Sequence, residues 1–145
     1  MLGKRTPIQA AALAVGLVFM LVGILGFIPG ITTHYGNLSF AGHTGAKLLG
    51  VFRVNALHNL VHLGFGAVGL VAARSFADSR LYLIGGGVVY LVVFVYGVLV
   101  DMGSSDNFIA VNHADNLLHL VLGVGLLAIG VGLVWTGAQR RSLRT

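Results

Sequence analysis

Four stretches of the chain are apolar for long distances, and polar or charged residues collect between them. Residues 6–46, 54–73, 81–100 and 116–139 contain no Lys, Arg, Asp or Glu. A bilayer core about 30 Å thick is crossed by about 20 helical residues, each rising about 1.5 Å. The last three stretches match that length. The first holds one span and a long loop, because Pro29-Gly30 interrupts it after the apolar run Ile8 to Ile28. The pattern predicts an all-α protein, an integral membrane four-helix bundle forming a single domain over residues 1–145. Its transmembrane helices are expected at 8–28, 51–73, 81–100 and 116–137. Extracytoplasmic loops then cover 29–50 and 101–115, and a cytoplasmic loop covers 74–80. Buried β-hairpins are the competing reading, but apolar runs this long exceed strand length.

Composition agrees with that pattern. Hydrophobic residues make up 57% of the chain and charged residues only 9%, against about 25% charged in soluble domains. Disorder is excluded as well, since disordered chains are poor in apolar residues and rich in charge. The net charge of +5 in a soluble protein would point to nucleic acid. Here its placement gives another meaning. Lys4, Arg5, Arg74, Arg80, Arg140, Arg141 and Arg144 fall on one side of four spans, whereas Lys47 and Arg53 fall on the other with Asp101, Asp106 and Asp115. That is a positive-inside signal, placing both termini in the cytoplasm of a plasma-membrane protein, with the lipid bilayer as partner and no nucleic acid. Trp135 suits an interfacial anchor. The apolar run after Lys4-Arg5 exceeds the 7–15 residues of a signal h-region and no Ala-x-Ala-like site follows, so it reads as a retained helix. With no cysteine, disulfides, thiolate metal sites and iron–sulfur clusters are excluded.

An internal comparison finds a repeat. Residues 54–70, VNALHNLVHLGFGAVGL, align with 111–127, VNHADNLLHLVLGVGLL, at an offset of 57. Val54, Asn55, Asn59, Leu60, His62, Leu63, Gly66 and Leu70 recur as Val111, Asn112, Asn116, Leu117, His119, Leu120, Gly123 and Leu127. Helices 1 and 3 match more sparsely, with Gly16, Val18, Phe19 and Gly26 facing Gly87, Val89, Tyr90 and Gly97. Two homologous helical hairpins in a parallel repeat follow, related by a pseudo-twofold axis along the membrane normal. The glycines of helices 2 and 4 suit close helix packing in lipid. Gly85-Gly86-Gly87 lies inside an apolar span without a following Lys or Ser/Thr, so it is no phosphate loop.

Polar residues inside spans are costly and mark candidate sites. Asn55, His58, Asn59 and His62 are spaced to share one helix face, and Asn112, Asp115, Asn116 and His119 repeat the spacing. Three readings stand open. His58, His62, Asp115 and His119 offer three imidazoles and a carboxylate to a transition metal. His62 and His119 can instead be axial ligands of a haem, with Phe65, Tyr90 and Tyr96 flanking a flat ligand. Third, Asn55, Asn59, Asn112 and Asn116 form a structural polar network between helices 2 and 4 that needs no ligand. His62 lies near mid-span and His119 near an outer end, so they are level only if helix 4 runs longer into the cytoplasm or helix 2 begins outside the bilayer. His34 and His43 read as solvated loop residues, and His113 as an extra ligand just outside helix 4. Lys47 and Arg53 are expected to pair with Asp101, Asp106 and Asp115 at the outer surface. Asn112 suits a helix cap, with Asp115 in the first turn. No catalytic triad, paired-carboxylate site or nucleotide motif is present.

The segments GFIPG, LHNLVH and ADNLLH, within a likeness running from about Pro7 to Trp135, resemble a bacterial membrane family catalogued as domain of unknown function 4383. The resemblance implies a four-helix plasma-membrane protein and brings no activity, ligand or catalytic residue. A more distant likeness to small membrane proteins of the DoxX type rests only on four glycine-rich helices. The expected function is a non-enzymatic structural or accessory module, as a homo-oligomer or a membrane-complex subunit. The alternatives are a metal- or haem-binding protein and a proton or small-solute transporter.

Overall fold

Each helix begins where a short polar side chain can replace a missing backbone partner. The computed structural model describes residues 5–142, with side chains described through Leu133. Helix α1, Pro7–Leu25, opens on Thr6, whose N–H and hydroxyl both donate to Gln9 Oε1 at 3.0 and 2.9 Å. Proline at its first turn needs no donor there. Helix α2, Ala56–Ala72, opens on Asn55, whose Oδ1 accepts from His58 N at 2.8 Å. Helix α3, Phe76–Leu99, opens on Ser75, whose Oγ accepts from Asp78 N at 3.1 Å. Helix α4 spans His113–Ser142. There Asp115 N donates to Asn112 Oδ1 and Asn112 N donates to Asp115 Oδ2, a reciprocal cap.

Four helices are expected and four are present among the described residues, with different bounds. α2 starts at Ala56, not 51, because the preceding residues fold into strands. These are β1 (Thr32–Thr33), β2 (Lys47–Leu48) and β3 (Phe52–Arg53), an antiparallel three-stranded sheet in that order. The β2–β3 turn places Leu49 and Gly50 at φ of 54° and 72°. Glycine adopts that conformation freely, whereas leucine does so only under constraint. α1 stops at Leu25, where Thr32 Oγ1 donates to the carbonyls of Leu25 and Gly26. α3 begins five residues before its expected start because Ser75 and Asp78 cap it, shrinking the loop expected at 74–80 to the turn between α2 and α3. Lys4 and Arg144 lie outside the described residues, as do the side chains of Trp135, Arg140 and Arg141.

Among the described residues, α1, α3 and the His113–Leu133 part of α4 are long and apolar enough to cross a membrane, while α2 is apolar but shorter. Their outward faces carry Leu17, Leu21, Val61, Val68, Val88, Val92, Val121 and Val124, all exposed. Such faces suit hydrocarbon better than water.

Inside, α1 lies along α2, and α3 along α4, while α1 and α3 join the two pairs and α2 and α4 scarcely meet backbone to backbone. Each pair closes on glycine. A Cβ at Gly16 would lie 2.9 Å from Leu70 N and 3.0 Å from Gly66 O, and one at Gly87 would lie 2.9 Å from Gly123 O and Leu127 N. Gly85, by contrast, has open space at its Cβ position. Gly16→Ala is therefore expected to destabilise the fold by about 1–3 kcal/mol through overpacking. Gly85→Ala should be neutral or stabilising by up to about 1 kcal/mol. Thermal unfolding in detergent compares the two; equal melting of both variants contradicts close packing at Gly16.

Candidate functional site

The gap between α2 and α4 is filled by rings. Phe19 of α1 and Tyr90 of α3 stack at the centre, centroids 5.2 Å apart and 18° from parallel. His62 leans on Phe19 at 5.5 Å, and His119 leans on Tyr90 at 5.4 Å. His58 stacks on His62 at 4.7 Å and 17°, and meets His119 across the gap at 6.0 Å. His62 and His119 are thus level. α4, at 30 residues, is far longer than α2 at 17.

Two hydrogen bonds define the protons on the α2 histidines. His58 Nδ1 is 2.9 Å from the Ile109 carbonyl, and His62 Nδ1 is 3.0 Å from the His58 carbonyl. A carbonyl only accepts, so each Nδ1 carries a hydrogen, and in the neutral form of each ring Nε2 keeps a lone pair. His119 Nδ1 is buried without a partner, as are Asn59 Nδ2 and Asn116 Oδ1.

The asparagines divide between two tasks. Asn55 and Asn112 cap α2 and α4 and also reach outward. Asn55 Nδ2 donates to Gly42 O at 3.2 Å and to Phe108 O at 2.8 Å, and Asn112 Nδ2 donates to Val51 O at 2.9 Å. Asn59 and Asn116 instead sit where Gly26 of α1 and Gly97 of α3 lack a Cβ. Asn116 Nδ2 donates to Gly97 O at 2.7 Å. The polar positions expected on one face are therefore parted: Asn59 turns to α1 and Asn116 to α3, while the histidines face the gap. Adjacent helical residues differ by about 100° in direction, enough to separate Asn59 from His58.

Asp115 is buried at the start of α4, and its Oδ2 accepts from Arg53 N at 3.1 Å and Asn112 N at 2.9 Å. The Arg53 guanidinium goes elsewhere, donating through Nη1 to Met102 O at 3.0 Å. The expected outer pairing of Arg53 with Asp115 is thus made by backbone, because this carboxylate closes a helix cap. Asp101 and Asp106 are exposed, and so are His34, His43 and His113, away from the ring cluster. Asn107 went unnoticed in the sequence. It is buried, accepts from Val111 N at 2.9 Å and donates to Val111 O at 2.8 Å, folding the loop before α4.

Two cavities flank the histidines. One of about 60 Å³ lies toward α3, lined by His58, His62, His119, Phe65 and Tyr90. The other, about 120 Å³, lies toward α1 beneath the β2–β3 hairpin and adds Asp115, Asn59 and Phe52. Pockets for drug-sized ligands run about 300–1,000 Å³, so neither cavity admits a haem without parting the helices. Tyr96, expected beside a flat ligand, instead donates its hydroxyl to Asp106 O at 2.6 Å in the loop after α3. Among the described residues no three His, Asp or Glu side chains are arranged to hold a metal ion.

A family model described as a domain of unknown function, DUF4383, matches residues 9–132. The chain belongs to the DUF4383 family. No curated protein and no solved structure matches it. The family description carries no activity. Asn112→Ala removes a cap and a loop bond together and is expected to lower stability by about 1–2 kcal/mol. His113→Ala, at an exposed position, should leave melting unchanged within about 0.5 kcal/mol. Chemical or thermal unfolding in detergent checks both, and an unaltered Asn112→Ala melt contradicts the assigned role.

Proposed function

We propose that the chain is a small, non-enzymatic module of the bacterial plasma membrane. It is a bundle of two homologous hairpins, with both termini in the cytoplasm, clasped by polar side chains. One observation carries this reading. Asn55 Nδ2 reaches Phe108 O and Asn112 Nδ2 reaches Val51 O, at 2.8 and 2.9 Å. Donors and acceptors both differ by 57 positions, and each bond runs from one half into the other. A twofold relation between duplicated halves requires such an exchange. The paired contacts Phe19–His62 with Tyr90–His119, and Asn59–Gly26 with Asn116–Gly97, support it further.

A structural role accounts for most of the buried polarity. Asn55, Asn112 and Asn107 fasten loops and helix ends, and Asn116 fastens α4 to α3. Interhelical bonds of this type contribute about 0.6–2 kcal/mol each in membrane proteins. The exposed apolar faces supply the contact with lipid, or with a second copy or another membrane subunit. The excess of Lys and Arg near the termini and the α2–α3 turn supports the orientation.

The absence of cysteine makes topology directly measurable, since any introduced thiol is unique. In intact cells a membrane-impermeant maleimide is expected to label Gly103→Cys, and to label Thr6→Cys and Arg74→Cys only after lysis. Labelling of Arg74→Cys in intact cells, with Gly103→Cys protected, overturns the orientation.

A further inference from the structure

We propose that the cavity beneath the β2–β3 hairpin binds a small primary ammonium ion. The inference goes beyond the module described above and does not depend on its topology. The cavity wall is mostly apolar; its polar groups come from His58, Asn59, His62, Asp115 and His119, and it holds no positive side chain. His58 and His62 line it with Nδ1 bonded to carbonyls, so both Nε2 lone pairs are free. His119 lines it too and is 3% exposed, with a ring nitrogen that has no partner. Asp115 adds a carboxylate whose two protein hydrogen bonds both go to Oδ2, leaving Oδ1 without a donor. Phe52 contributes a ring, and neither Lys nor Arg lines the cavity.

This chemistry favours a cation with several hydrogen-bond donors. Burying an ammonium is costly unless it is paired and hydrogen-bonded. Asp115 supplies the opposite charge, the imidazoles supply separate acceptors, and an aromatic face attracts a cation. A metal ion demands lone pairs converging on one point, whereas the His58 and His62 rings lie 17° from parallel. An ammonium directs its N–H bonds to separate acceptors at about 2.9 Å each. The volume of about 120 Å³ equals roughly four waters of about 30 Å³. That accommodates methylammonium together with one water able to accept from the unpartnered Asn59 Nδ2.

Thermal unfolding of the full-length protein in lipid nanodiscs provides the test. Methylammonium chloride at ten times its Kd is expected to raise Tm by roughly 3–6 °C, with no rise from equal concentrations of sodium or tetramethylammonium chloride. Asp115→Asn removes the carboxylate's charge, and Leu118→Trp fills the cavity while leaving every polar group in place; both should abolish the shift. If Asp115→Asn does not fold, Leu118→Trp decides. An equal shift with sodium or tetramethylammonium overturns the proposal, as does a shift that survives Leu118→Trp. A Zn²⁺-induced rise without one from methylammonium overturns it in favour of a metal site.

Discussion

Every polar group held among these apolar helices must find its partner inside the protein, because hydrocarbon offers none. Much of the structure answers that requirement. Thr6, Asn55, Ser75 and Asn112 begin the four helices, and Thr32 closes the end of α1. Asn116 reaches the Gly97 carbonyl only because that residue has no Cβ to obstruct the amide. Glycine therefore has two roles in one helix. At Gly87 it lets backbones touch, and at Gly97 it opens room for a buried amide. Asn59 Nδ2 and His119 Nδ1 are left without partners, and both residues line the larger cavity.

The rings hold apart what the glycines draw together. Within each helical pair the backbones approach closely, whereas α2 and α4 remain separated. Phe19 and Tyr90 stack across the centre, and an imidazole leans on each. Histidine suits the flanking positions because it is flat enough to pack yet keeps two nitrogens. One can bind a nearby carbonyl while the other stays available. A phenyl ring would pack as well and bring no nitrogen to the cavities.

The helices were legible because their apolar runs are long and their polar boundaries sharp. Their ends were less so. Val51 and Phe52 extend the apolar pattern of α2 beyond Arg53, yet Val51 to Arg53 turn back as a hairpin. Its turn puts Leu49 at positive φ, where sequence statistics favour Asn, Asp or Gly. No local signal announces that hairpin, which roofs the larger cavity. The histidine cluster itself was visible from spacing and from the repeat. The division of Asn59 and Asn116 away from it was not, because a spacing of three and four defines a broad face rather than a direction. Phe19 looked like one more apolar residue; only its match to Tyr90 distinguished it.

Under the duplicated-hairpin reading, His58 and Asp115 occupy equivalent positions and yet differ, and their surroundings explain why. Each reaches into the segment before the other half's inner helix. His58 Nδ1 meets a carbonyl, that of Ile109, whereas Asp115 Oδ2 meets an N–H, that of Arg53. A carbonyl requires a donor and an N–H requires an acceptor. Two aspartates would set a carboxylate against the Ile109 oxygen, and a histidine at 115 could meet the Arg53 N–H only in the tautomer with its hydrogen on Nε2. Divergence at this one pair therefore lets the same clasp close in both directions although the two loops present opposite backbone groups. Its consequence is chemical: the cavity gains a carboxylate among the imidazoles of His58, His62 and His119.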